Sequence, residues 1–312
     1  MPVSAQLLLD FGPEIRYLVR AAGRVMETMR GLLKILTSHP IQQFRKNPRF
    51  YLHYDSSYLL LCVALSAAML ATHFRPVLAG VEWTPLHFVL GVPAVLYFLI
   101  CAHLWIHNAT HGNFPRPVNR IIGEVLGFIV FVRYASWDIV HMRHHKYSDD
   151  PVRDPHPTFP SYLKSFVHSI VFVERQLMQQ YYDVWGDTPE NRRYEAFRAK
   201  VSYGTNLVLA LAWYLFLGPV GFFAFWLPLN LLAAAFIGHF NWSTHNGDTG
   251  GDFRPVNLNH GYYWLGNKLF AGIYFHANHH QRPHLFNPAR WDAVKYGPAE
   301  PPVDAPSPAQ PA

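Results

Sequence analysis

Four apolar stretches govern what this chain can become. Residues 57–74 (SYLLLCVALSAAMLATHF), 86–106 (LHFVLGVPAVLYFLICAHLWI), 206–218 (NLVLALAWYLFLG, extended backwards by VSYGT) and 219–240 (PVGFFAFWLPLNLLAAAFIGHF) contain no Asp, Glu, Lys or Arg. A helix needs ~20 apolar residues to cross a bilayer, and inside it every backbone polar group must find its partner within the segment. Each run is therefore expected to be a transmembrane helix. Gly218-Pro219 is a turn signal, and it divides what would otherwise be one overlong run. Composition agrees: 15% of the 312 residues are charged, against roughly 25% in an ordinary soluble domain. The expected fold class is all-α, an integral membrane protein with four transmembrane helices, interfacial helices and a cytoplasmic histidine-rich cap.

Four crossings put both termini on one side. Of the 26 basic residues, all but Arg75 fall in residues 1–56, in the 107–202 loop or after 240. The excess of Lys and Arg on the cytoplasmic face of membrane proteins is expected to place the termini and the large loop there, in the inner membrane if the source is bacterial. The net charge of +6 follows from this topology, and no nucleic-acid motif accompanies it. Segments 121–132 and 165–178 are too short or too charged to span and read as helices lying in the interface, as does the amphipathic stretch 5–36. The expected organisation is a cytoplasmic and interfacial segment over 1–56, a catalytic membrane domain over 57–292 and a disordered Pro-rich tail over 293–312. No signal peptide is expected, since the first 30 residues carry charges throughout. Cys62 and Cys101 lie inside apolar runs, too few for an iron–sulfur cluster and placed as small buried hydrophobes.

The chain has 19 histidines, and three groups stand out: His107 and His111; His141, His144 and His145; His276, His279 and His280. Spacings of three and four residues put side chains on one helix face. All three groups follow membrane segments on the side rich in basic residues. Past the fourth span, the NWSTH stretch adds His245 at the same surface. Any one histidine is ordinarily a packed or solvated residue, and His103, His239, His260 and His284 are read so. Nine imidazoles at one surface exceed the three or four protein ligands of a mononuclear site and point to two metals. A shell of imidazole without thiolate suits iron, zinc or copper.

HxxxH, HxxHH and HxxHH in this order, following membrane segments, resemble the integral-membrane fatty acid desaturase and hydroxylase superfamily, from about residue 55 to 292. The NxxxH at 241–245 is similar to the extra ligand motif of acyl-CoA desaturases. The first box has three intervening residues where those enzymes commonly have four, so the resemblance does not extend to an acyl-CoA substrate. It implies a di-iron centre with O2 as co-substrate, held by His107, His111, His141, His144, His145, His245, His276, His279 and His280. It also implies a metal-bound water near Asn241. Carboxylates are expected to orient the ligating rings through their second nitrogens. Asp138, one helical turn before His141, is the first candidate; Asp150 is another, with Asp149 and Asp154 beside it.

The implied reaction is an O2-dependent attack on a lipid acyl chain, desaturation first. Hydroxylation, oxidative decarboxylation to a terminal alkene and carotenoid ketolation or hydroxylation remain open, because one metal centre serves them all. A membrane metal or haem protein, and a zinc hydrolase, are the alternatives outside the class. With no cysteine cluster, GxGxxG or fused haem domain in the sequence, electrons are expected from a separate donor: a ferredoxin, rubredoxin or cytochrome with its reductase.

Overall fold

The computed structural model describes residues 37–247 and 252–303. The helix expected over 5–36 and residues 304–312 of the expected tail lie outside them. In chain order the helices are α1 (Pro40–Phe44), α2 (Phe50–Ala71), α3 (Pro85–Thr110), α4 (Val118–Ile129), α5 (Tyr134–Tyr147), α6 (Tyr162–Val171) and α7 (Val173–Trp185). They continue with α8 (Pro189–Val220), a π-helical segment (Gly221–Trp226), α9 (Leu227–Thr244), α10 (Gly261–Leu269), α11 (His276–Gln281) and α12 (Ala293–Tyr296). No strand occurs among the described residues beyond two isolated bridges.

Three helical runs are long and apolar enough to cross a membrane: α2, α3 and the continuous stretch Pro189–Thr244. At 1.5 Å per residue, α2 rises about 33 Å and α3 about 39 Å, enough for a ~30 Å hydrocarbon core. The sequence fixes the start of α3. Pro85 sits in its first turn, and the Thr84 N–H donates to His87 Nδ1 at 3.1 Å, closing a capping box. Leu60, Val89 and Leu207 are 67%, 67% and 74% exposed on the sides of these helices. So much outward apolar surface belongs in lipid rather than water.

The third run has 56 residues, about 84 Å if straight, far more than one crossing uses. It folds back at the glycine-proline pair. Gly218 has φ 77° and ψ 172°, a conformation outside the helix. Trp213 stacks on Trp226 with centroids 5.2 Å apart, where a straight helix would separate them by about 20 Å. The carbonyl of Phe216, beside the break, accepts from the Val77 N–H at 2.8 Å. The run is thus two crossings, as the Gly218-Pro219 signal indicates.

Contacts at the two ends fix the directions. Thr205 Oγ1, midway along α8, donates to the Asp55 carbonyl at 3.3 Å near the start of α2, and Phe74 stacks on Phe216 near the ends of both, so these helices run parallel. α3 and α9 return the other way, with Phe225 against Trp83 and Phe88 where they begin. Their last residues, Thr110 and Thr244, lead directly into His111 and His245. All the histidine groups therefore gather at one end of the bundle.

That end is built from polar contacts. α4 and α5 meet at a 109° bend. Phe131 takes φ 64° there, and a Cβ at Gly127 would collide with the Val132 carbonyl. The segment expected over 121–132 is therefore one arm of a bent pair whose other arm carries the second histidine group. The segment expected over 165–178 is divided at Phe172 between α6 and α7. Arg133, next to the bend, pairs with Asp55 of α2 at 2.7 Å and with Glu174 of α7 at 3.2 Å. Arg198 of α8 pairs with Glu195 at 2.8 Å and with Glu174. Four elements are locked by two guanidiniums and three carboxylates, all buried or nearly so. Beyond the boundary expected at 292/293 the chain still makes hydrogen bonds. Asp292 caps α12, and the Val303 N–H donates to the Asn257 carbonyl at 2.8 Å.

Gly218→Ala should destabilise the chain by ~1–3 kcal/mol, because its dihedrals belong to a region nearly closed to side-chain-bearing residues. Thermal unfolding in detergent measures this, and an unchanged Tm would show that the fold-back does not rest on that angle.

Candidate metal centre

The nine imidazoles expected at this surface converge into two groups. His107, His111, His141, His145 and His279 form one; His144, His245, His276 and His280 form the other. Within each group one ring nitrogen per residue lies within 4.8 Å of all the rest. The division follows helix geometry. Adjacent residues on a helix point about 100° apart, so each His-His pair splits. His144 and His145 go to different groups, and so do His279 and His280. The i,i+4 pairs stay together: His107 with His111, His141 with His145, His276 with His280. The two HxxHH boxes are thus used in opposite senses, each giving a pair to one group and a single ring to the other.

Local structure holds each piece. His107 and His111 occupy the last turn and cap of α3, and His245 caps α9. The last group rides on the six-residue α11, too short to stand alone. Two buried asparagines fix it: Asn257 Oδ1 accepts from the Asn278 N–H at 3.2 Å, and Asn257 Nδ2 donates to Asn278 Oδ1 at 2.9 Å. Asn278 Nδ2 in turn donates to the Pro288 carbonyl at 3.1 Å. α5 is held to α7 by the buried Arg143, which donates to Gln180 at 2.7 Å and pairs with Asp183.

Two carboxylates orient rings. His144 Nδ1 lies 2.9 and 3.0 Å from the Asp154 oxygens, and His245 Nδ1 lies 2.8 and 3.1 Å from those of Asp149. A carboxylate only accepts, so Nδ1 carries the proton and Nε2 presents a lone pair inward. Asp154 also accepts the backbone N–H groups of Asp149 and His156. Burial works to raise its carboxyl, but His144 beside it outweighs that and holds it down at about 2. Asp154 is thereby a carboxylate at any ordinary pH.

This donor set fits metal. Nε2···Nε2 separations are 2.9 Å for His111 and His141, 3.1 Å for His141 and His145, 3.1 Å for His145 and His279, 3.1 Å for His245 and His276 and 3.2 Å for His276 and His280. Two nitrogens bound at a right angle to one ion at about 2.1 Å would stand about 3.0 Å apart. Inward lone pairs at this spacing repel unless a proton or cation lies between them. Buried Nε2 atoms of His107 and His144 have no hydrogen-bond partner among the described residues, a costly state that a metal would relieve.

Other expected residues lie elsewhere. Asp138 turns away from the rings: it accepts the Ile41 N–H at 2.7 Å and pairs with His39 at 3.6 Å, fastening α1 to α5. Three-residue spacing put it on the face of His141, but α5 is buried on more than one face and that contact was claimed by α1. Asp150 folds onto its own turn, accepting the N–H groups of Val152 and Arg153 and pairing with the Arg153 guanidinium. Asn241 accepts the His245 N–H at 3.1 Å through its backbone carbonyl. His103 Nδ1 donates to the Leu99 carbonyl, and His284 lies against the carbonyl of His111. The acids that do reach rings, Asp149 and Asp154, stood in the sequence as lesser candidates. Asp149 takes φ 61°, which lets its carboxylate swing back to His245, and spacing does not reveal this.

Next to both groups lies a cavity of about 140 Å³, walled by α3, Phe240 and the 269–273 and 285–288 segments, with His107, His276 and His279 at its inner end.

Asp154→Asn should weaken metal binding in the His144 group by ~10–100-fold while the other group keeps its ion. Asp138→Asn should leave metal content unchanged. Metal analysis of the purified variants checks both, and a loss of metal with Asp138→Asn alone would reverse the assignment.

A family model described as fatty acid desaturase matches residues 82–287, about two thirds of the 312-residue chain and all nine clustered histidines. Neither the curated proteins nor the solved structures give a match. The matched length, the helical bundle with its apolar crossings and the histidine groups at one end agree: the chain belongs to the fatty acid desaturase family.

Proposed function

We propose that the protein is an O2-dependent membrane oxidoreductase that holds two iron ions and acts on lipid acyl chains, as a desaturase. The observation that carries this reading is the pair of inward-facing imidazole groups sharing the wall of an apolar cavity at the end of membrane-crossing helices. His107, His111, His141, His145 and His279 would hold one iron; His144, His245, His276 and His280 the other. Bound there, the irons supply the oxidising power, with O2, that breaking a methylene C–H bond demands and no side chain provides.

The protein's own residues prepare the site. Asp149 and Asp154 keep the Nδ1 protons of His245 and His144 in place, so their Nε2 lone pairs face inward. Phe240, Phe270 and Ile273 line the cavity with surface that water does not favour and an acyl chain does. Such a layout suits a substrate stored in the bilayer and electrons that arrive in water. A separate ferredoxin, rubredoxin or cytochrome is the proposed donor. The distribution of Lys and Arg supports a cytoplasmic location for the histidine end, the termini and the donor.

Expression of the full chain with deuterated fatty acids, under air and under argon, tests this by mass spectrometry of the lipids. An unsaturated product should form only with O2. His144→Ala and His279→Ala, one from each group, should each abolish it and lower iron content while the protein still inserts. No oxygen-dependent product from any lipid would sink the reading.

A further inference from the structure

The cavity beside the histidines has a second end. Along α3, Tyr97, Cys101, Leu104 and Asn108 line it at intervals of three or four residues, so it follows one helix face. From Tyr97 to His107 the helix rises about 15 Å, half the ~30 Å hydrocarbon core. With the histidines at the membrane surface, Tyr97 sits near the bilayer midplane. There the cavity meets the outside of the protein. Tyr97 is 47% exposed and Leu269, across this opening, 46%; nearer the histidines, the lining residues Trp105 and Phe286 are 44% and 40% exposed. The Tyr97 hydroxyl donates to the Leu269 carbonyl at 3.2 Å. That carbonyl ends α10, where no helical N–H can reach it. One hydrogen bond therefore spans this opening.

Two further properties limit the occupant. No Lys, Arg, Asp or Glu lines the cavity, and away from His107, Asn108, His276 and His279 its wall is mostly apolar, so its Tyr97 end offers no charged partner to a phosphate or carboxylate. Its volume is about 140 Å³, roughly that of an interior cavity that takes a benzene-sized group. It encloses a chain end or a ring, with the remainder of the molecule left outside. In a bilayer, lipid tails end at the midplane, where this mouth opens.

The geometry points to a chamber for the apolar terminus of a bilayer lipid, admitted sideways between Tyr97 and Leu269 and led back towards the surface to the histidines. Resting on the oxidase reading, this makes the substrate one whose reacting carbon is counted from its apolar end, with the head group remaining outside the protein. The wall at Leu104–Asn108 would then touch the terminal carbons of a tail, although it lies at the depth of the ester groups.

Depth makes the test. The full chain is placed in phosphatidylcholine nanodiscs with either of two phosphatidylcholine photoprobes, one with a diazirine at the last tail carbon and one with it beside the ester. Crosslinks are mapped by mass spectrometry. The terminal probe should label Leu104–Asn108 more than the ester-proximal probe does. Ala271→Phe, which fills the chamber, should cut that labelling by about tenfold, the effect of roughly two lost methylene contacts. Equal or stronger labelling by the ester-proximal probe in the unmodified chain overturns the proposal, even if the variant fails to fold. Labelling needs no turnover. Terminal labelling without an oxygen-dependent product would leave the chamber standing and remove the oxidase reading; product with ester-proximal labelling would do the reverse.

Discussion

Ring nitrogens that present lone pairs to one another at about 3 Å repel, and burial deprives them of the water that would otherwise satisfy them. Four such nitrogens in one group and three in the other, with the unpartnered Nε2 atoms of His107 and His144 beside them, must be held against that repulsion by everything around them. The rings come from the ends of α3, α5, α9 and α11, so no single element can orient them. Carboxylates fix two rings from behind, and paired asparagines fix the backbone of the shortest helix. The arrangement makes sense as a cage shaped for cations, its rings held by the scaffold around them.

The scaffold's rigidity starts where membrane helices give way to the polar end. Arg133 and Arg198, with Asp55, Glu174 and Glu195, tie α2, α7 and α8 to the first residue before α5. Breaking one partner of such a buried set leaves an uncompensated charge, at a cost of ~3–5 kcal/mol. The network thereby transmits the positions of two lipid-embedded helices to the helix that carries His141, His144 and His145. Arg143, pinned to α7, secures the same helix one side round. Lipid sets where the bundle lies, and the buried charges set how the histidines stand upon it.

Much of this was legible in the sequence, for physical reasons that differ by element. The crossings showed as charge-free runs, because a bilayer tolerates little else, and the fold-back showed as Gly218-Pro219. Helix starts were less visible. α2 begins at Phe50 instead of 57, and α8 at Pro189, more than ten residues before its apolar run. The early turns carry Asp55, Glu195 and Arg198, which read as solvated charges until their partners are known. Histidine clustering marked the candidate site, since helical spacing alone brings i and i+4 rings together. Which carboxylate serves which ring was not legible. Asp138 has the right spacing and another partner, whereas Asp149 reaches its ring only through a left-handed backbone turn.

The splitting of adjacent histidines between two groups has a consequence for how such a chain can change over time. Surface loops in general can gain or lose residues with little effect on what they connect. Within α5 and α11, one inserted or deleted residue would rotate every later ring by about 100° and send each to the wrong group, or to none. Substitution can tune these two helices, but their length between the first and last histidine is frozen, so the boxes must be inherited as indivisible blocks.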